Sequence, residues 1–246
     1  MHFNVNLKVV IMDTDFYALH SINSYLAWDR RTRVTHLAST LDSLWQHLDT
    51  TPLAELPDIV VLDAEHLGPP EQLRMVMGKL HQMVEGVRVI CMLQSPQIDL
   101  IEASAQANAR GIFLKHEVRM QIAWAIVYIL DNDMVVTQQV ADVASKSNLF
   151  ESRLFHAVVL PKRREFPDLT DRVRQALELC VIDGLPAHLA ADEMGISLHT
   201  IRGYIKEGYR ILESHDSTNY PTDMSPQERA FMRFTAFEDQ ANSTAS

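Results

Sequence analysis

Cysteine is nearly missing from this chain: its 246 residues hold two, Cys91 and Cys180. They stand far apart in apolar surroundings, which excludes a disulfide framework and a Cys-rich metal centre and makes both small core residues. Long apolar runs are missing too. None approaches the roughly 18 residues of a membrane span, and the amino terminus lacks the basic segment and apolar stretch of a signal peptide. A cytoplasmic location with no membrane partner is expected. Neither G-x-x-x-x-G-K-[ST] nor H-E-x-x-H occurs, and the 11 histidines are scattered without ligand spacing. His36 and His47 therefore read as surface or half-buried residues, no residue is assigned as catalytic, and the chain does not read as an enzyme. An excess of positive charge is also lacking, since the net charge is −10. That is the wrong sign for a protein that coats nucleic acid.

What is present fits two modest domains, with 47% hydrophobic and 22% charged residues. The charge is uneven. Between Lys162 and Leu212 eight Lys or Arg balance eight Asp or Glu, so the rest of the chain carries the negative excess. Within the balanced segment, Thr170 can cap a helix whose Val173, Ala176, Leu177 and Cys180 share a face, and Gly184 stops it. A short helix from about Pro186 to Met194 follows. Gly195 supplies the left-handed residue of a sharp turn, Ile196 plugs the core, and Ser197 caps the next helix. At 100° per residue, Ile201, Ile205, Gly208 and Leu212 form one stripe of that helix, while His199, Arg202, Lys206 and Arg210 gather opposite. An apolar back and a donor-rich front are what a major-groove helix requires. Gly203 leaves the basic side bare, although a mid-helix glycine costs about 1 kcal/mol relative to alanine. A three-helix bundle with a solvated basic face is the structural alternative.

The run from Leu169 to Leu212 resembles the LuxR/NarL/FixJ-type DNA-binding domain. The likeness lies in Leu169-Thr170-Asp171-Arg172, the pair Gly184-Leu185, the centre Leu189-Ala190 through Met194-Gly195-Ile196-Ser197, and Thr200-Ile201-Arg202. The resemblance implies that His199, Thr200, Arg202 and Lys206, with Arg210 on the same basic face, touch DNA. It also implies that the helix around Tyr209 to Ser214 forms a dimer contact. Pro186 departs from the usual small polar cap but suits a first helical turn.

The first 130 residues alternate apolar runs with amphipathic stretches: Lys8–Met12 with Tyr17–Trp28, Arg33–Ala38 with Leu41–Leu48, and Asp58–Leu62 with Glu71–Met83. Arg88–Leu93 precedes Ile98–Asn108, and Gly111–Leu114 precedes Val118–Leu130. Five strand-helix repeats predict a doubly wound α/β domain on a five-stranded parallel sheet, followed by an all-α helix-turn-helix domain. Asp13, Asp63 and Lys115 follow strands one, three and five, at the sheet edge where functional groups collect.

VVIMDTD, PDIVVLDAEHLG and NARGIFLKHE resemble the corresponding strand ends of a response-regulator receiver domain. The resemblance implies Asp63 as phosphoacceptor, Asp13 as a metal-binding acid and Lys115 as the phosphate-pairing lysine, with Mg²⁺ held weakly by Asp13 and Asp63. Three positions depart from the pattern. Thr14 stands where a second acid is usual, with Asp15 one step further, Gln94 replaces the hydroxyl that bonds the phosphoryl group, and Ile112 replaces the switch aromatic. The receiver pocket is read as Asp13, Asp15, Gln94 and Lys115.

The expected organisation is a receiver-like domain over 1–131, a linker over 132–166, the DNA-binding domain over 167–214 and a tail over 215–246. The linker reads as holding some helix at first and then extended chain, where Pro161 and Pro167 disfavour helix in the residues before them. Lys162, Arg163 and Arg164 read equally as a phosphate contact or a solvated run. In the tail Ser225, Pro226 and Glu228 form a capping box, and residues 240–246 read as disordered. The chain thus reads as a DNA-binding transcription regulator acting as a homodimer on a palindromic site, with no cofactor required, no obligatory phosphorylation and a protein or small-molecule effector at the receiver. Phosphate switching at Asp63 is the alternative within the class. An interaction adaptor whose helix-turn-helix no longer reads DNA, favoured by Glu207 and the acidic total, is the alternative outside it.

Overall fold

The computed structural model describes residues 5–147, 153–216 and 218–238, so the expectation for residues 240–246 lies outside the described residues. The chain divides into two compact units, Met1–Leu160 and Pro161–Ser246.

In the first unit β1 (Leu7–Met12), α1 (Phe16–Ala27), β2 (Thr32–Ala38), α2 (Leu41–Thr50), β3 (Ile59–Asp63) and α3 (Pro70–Met83) come first. They are followed by β4 (Arg88–Leu93), α4 (Ile98–Gln106) and β5 (Gly111–Leu114). All nine lie within a few residues of their expected bounds because the strands are short runs rich in apolar and β-branched residues and the helices are amphipathic. Alternate strand residues Val10, Met12, Val60, Leu62, Cys91 and Ile112 share one core with α2, α3 and α4. The intervening residues point to the other face, where α1 packs on its neighbouring strands and on α6 (Ile122–Tyr128).

Three expectations are corrected. The sheet has seven strands, in the order β2-β1-β3-β4-β5-β6-β7, all pairs parallel. Residues 132–166 are not a plain linker, because β6 (Val135–Val136), α7 (Gln138–Lys146) and β7 (Val158–Val159) extend the sheet, and the first unit runs to Leu160 rather than 131. Two-residue strands carry too little period for a pattern to declare them. The helix expected over Val118–Leu130 is broken into α5 (Lys115–Val118), a tight turn at Arg119–Gln121 and α6. Arg119 takes φ 40° and ψ −129° at the break, a conformation costing a non-glycine residue about 1–3 kcal/mol.

The second unit holds α8 (Asp171–Leu177), continued by a wider turn over Glu178–Ile182, then α9 (Ala187–Met194), α10 (Leu198–Ser214) and α11 (Pro226–Thr235). The caps are those expected. Thr170 accepts from the Val173 amide and Ser197 from the Thr200 amide. Gly195 is left-handed at φ 64°, and the Ile196 amide reaches back to the Ala191 carbonyl, closing the turn between α9 and α10. Gly208 lets α10 lie against α8: a Cβ there would stand 2.8 Å from Leu177 Cγ.

Tyr209 to Ser214 form the last turns of α10. The separate fourth helix is α11, with the full capping box between Ser225 and Glu228. It belongs to the unit's core, since Phe231 and Phe234 are buried and the Phe234 ring lies 6.2 Å from that of Phe166. Nor is the basic run solvated throughout. Arg164 is buried against Asp216 at 3.3 Å, and the Arg163 backbone bridges antiparallel to Phe237.

Candidate functional site

The carboxyl edge of the first sheet brings together three of the expected residues. Asp13 follows β1, Asp63 ends β3 and Lys115 follows β5. Both carboxylates are buried. Lys115 Nζ lies 2.7 Å from Asp13 Oδ2 and 3.3 Å from Asp63 Oδ1. Asp63 Oδ2 also accepts from Thr14 Oγ1 at 3.1 Å and stands 2.8 Å from His66 Nδ1. Oδ2 of the expected phosphoacceptor therefore already serves Thr14 and His66, while Oδ1 has the Lys115 ion pair and no hydrogen bond. The two acids differ in proton affinity. Burial and the neighbouring Asp63 charge raise the Asp13 pKa more than Lys115 lowers it. Burial also acts to raise Asp63, but the Lys115 charge and the His66 hydrogen bond outweigh it and hold Asp63 below the usual carboxylate range. Of the two, Asp63 is the stronger acid.

The remaining expected pocket residues are used otherwise. Asp15 is exposed and caps α1, its Oδ1 accepting from the Ala18 amide at 2.9 Å. Gln94 is exposed and contributes its backbone, whose amide donates to Glu65 Oε2 at 2.5 Å. Glu65 was not singled out in the sequence, yet its carboxylate also accepts from the Ser95 amide, the Ser95 hydroxyl and Gln97 Nε2. Its position two residues beyond Asp63 was the available signal. Ile112 is buried in β5. A divalent cation of the kind the receiver resemblance implies does not fit these residues well. Lys115 occupies the space between the two carboxylates, Thr14 stands in the place of an acid, and Asp15 is committed to its helix. Among the described residues no group of three or more His, Cys, Asp and Glu is arranged to hold a metal ion.

The second set of expected residues lies on α10. Ile201, Gly208, Ile211 and Leu212 are buried, while His199, Arg202, Gly203, Lys206 and Arg210 are exposed. Thr200 is half-buried, its hydroxyl 2.8 Å from that of Ser197. Arg210 donates twice to Glu207, at 3.0 and 2.6 Å, so its charge is shared within the helix. Arg202 and Lys206 line a groove of about 670 Å³ that also includes Tyr209 and, from α11, Pro226 and Arg229. Arg229 is a basic residue that sequence reasoning missed. It sits 23 residues beyond Lys206, and only the return of α11 brings it alongside.

His36 and His47 are half-buried as expected and stack on each other with ring centroids 4.1 Å apart. Both cysteines are buried and unpaired, and burial pushes the Cys91 thiol up to about 12. No described helix is long and apolar enough to cross a membrane.

Taken together, the fold is a receiver-like parallel α/β unit followed by a helix-turn-helix unit. No protein-family model and no curated protein matches the sequence. Solved structures do match. One, of two RcsB dimers bound to two parallel DNAs, aligns with a TM-score of 0.50 and 16% identity over 82% of this chain and 89% of that one. The two-component response regulator RcsB in complex with DNA aligns with a TM-score of 0.50 and 14% identity, over 92% and 98% of the two chains. The RcsB response regulator of Salmonella typhimurium gives a TM-score of 0.50 and 14% identity over 87% and 95%. At such identities the likeness is one of fold.

Proposed function

We propose that this chain is a DNA-binding transcription regulator built like a two-component response regulator. It acts as a cytoplasmic homodimer on a palindromic site, and phosphorylation is not obligatory. The observation that carries the DNA reading is the division of α10. Its buried stripe at Ile201, Gly208 and Leu212 anchors the helix to its unit, and its exposed face offers His199, Arg202 and Lys206 to phosphates and base edges. With a net charge of −10, one copy has little long-range attraction for DNA, so two recognition helices one duplex turn apart supply the affinity. Dimers and DNA complexes of the RcsB structures support this reading by analogy of fold.

Independence from phosphate is supported by the partners of Asp63. A nucleophilic carboxylate whose oxygens already serve Lys115, His66 and Thr14 is a structural group first. On this reading neither Mg²⁺ nor any other cofactor is required, and an effector at the receiver replaces phosphate as the input. Phosphate switching is the second reading, favoured by the 3.3 Å approach of Lys115 to Asp63. An adaptor that does not read DNA is favoured by the Glu207–Arg210 pair, which neutralises part of the basic face.

The test is retention of genomic fragments at moderate salt by untreated protein and by protein given a phosphoryl mimic with magnesium. Equal enrichment of one palindromic sequence in both is expected. Enrichment only with the mimic would establish the phosphate switch, and none in either would establish the adaptor.

A further inference from the structure

The broken end of the receiver-like unit encloses a cavity of about 360 Å³ between α1 and the segment 115–122. Its size falls within the roughly 300–1,000 Å³ of small-molecule pockets. Ile22 of α1, Met92 of β4, Val118, and Ile122 of α6 supply apolar walls, and Ser21, Lys115 and Arg119 supply polar groups. An unbroken helix from Val118 to Leu130, which the sequence pattern favours, would not place Arg119 in the strained conformation it has. Local rules are broken in this way where another requirement overrides them.

The two charged side chains that line the cavity are both cationic, in a protein whose total charge is −10. They are not equivalent. Lys115 already faces the Asp13 and Asp63 carboxylates, so its charge is more than matched. Arg119 is exposed, and its Nε donates to the His116 carbonyl at 2.8 Å, which fixes the guanidinium near its own backbone. Among the described residues no carboxylate lines the cavity with it.

We propose that the cavity between α1 and residues 115–122 binds a small amphipathic organic anion, with its apolar body against Ile22, Met92, Val118 and Ile122 and its carboxylate at Arg119. This rests on the proposed reading that an effector replaces phosphate as the input. Lys115 and Met92 connect the cavity to the acidic edge, because Lys115 pairs with both acids and Met92 is the β4 neighbour of Asp63. A molecule seated there acts on the same residues that hold Asp63.

The experiment titrates the full-length protein, without DNA or phosphate, with octanoate, octanol and octylammonium, following the methyl resonances of Met92 and Met120. Octanoate is expected to bind about tenfold tighter than octylammonium, as a charge-assisted contact supplies. Ser21→Trp, at an exposed position of the rim, should fill the cavity and abolish binding of both octanoate and octanol. Arg119→Gln should weaken octanoate about tenfold and leave octanol unchanged. Equal binding of octanoate and octylammonium would overturn the proposal, as would an octanoate affinity unaltered by Arg119→Gln, the variant that decides if Ser21→Trp does not fold. Because binding is read without DNA, such a failure leaves the regulator reading standing. Failure to retain any genomic fragment removes the regulator reading while this binding persists.

Discussion

The charged groups at the sheet edge and those on α10 are built in opposite ways. At the edge two buried acids share one lysine, with a hydroxyl and an imidazole completing the set, so each charge is answered inside the fold. On α10 the cations stand in water, and only Arg210 has a carboxylate partner on its own helix. Buried charges must be paired because desolvation is costly, and pairing leaves them little capacity for an outside ligand. Exposed charges bear no such constraint and keep their donors available. The first arrangement therefore matters chiefly to stability and the second to binding.

Substitutions can break this contrast. The largest effect is expected for Lys115→Met, which leaves two buried carboxylates without their cation. Breaking a buried pair costs about 3–5 kcal/mol, read as a lower urea midpoint, and adding Asp13→Asn should restore part of it. An unchanged midpoint would mean that the edge is open to solvent and ready for ligand. Next come the two glycines of α10. Gly208→Ala forces a Cβ against Leu177 and should destabilise the second unit, since overpacking costs about 1–3 kcal/mol. Gly203→Ala meets nothing within 4 Å and should stabilise it by about 0.5–1 kcal/mol. If the exposed face meets DNA, the stabilised Gly203→Ala protein should nevertheless bind DNA more weakly in a gel-shift titration.

Arg202→Ala and Lys206→Ala should leave thermal stability nearly unchanged. Each should weaken DNA binding and lower the slope of log affinity against log salt by about one if it contacts a phosphate. Unchanged binding by both would remove α10 as the reading helix. The smallest effect is expected for Glu207→Gln, which frees Arg210 from an exposed pair and should tighten DNA binding slightly without moving the melting temperature. Weaker binding would show instead that Glu207 positions Arg210.

Much of this was legible in the sequence. Strands β4 and β5 matched their expected bounds because runs of β-branched and apolar residues ended at turn signals. Thr170, Gly195, Ser197 and Ser225 marked helix ends because caps and left-handed turns demand particular side chains. The alignment of Asp13, Asp63 and Lys115 at one edge followed from strand order alone. Strands β6 and β7 were not legible, since two residues carry no periodicity and gain their identity from the strand beside them. The break at Arg119 was equally hidden, because an apolar pattern continues through it.

The sequence by itself determined the succession of elements from β1 to β5 and from α8 to α10, the presence of two units and the division of α10 into apolar and basic faces, all properties of local spacing and composition. Tertiary structure decided which polar groups were committed. It set Asp15 to capping α1, Glu65 to the β4–α4 loop, Arg164 to Asp216, and Arg229 to the groove beside Lys206. The reason is that a polar side chain's partner depends on what folding brings within about 3 Å of it, and residues distant in the chain supply most of those partners.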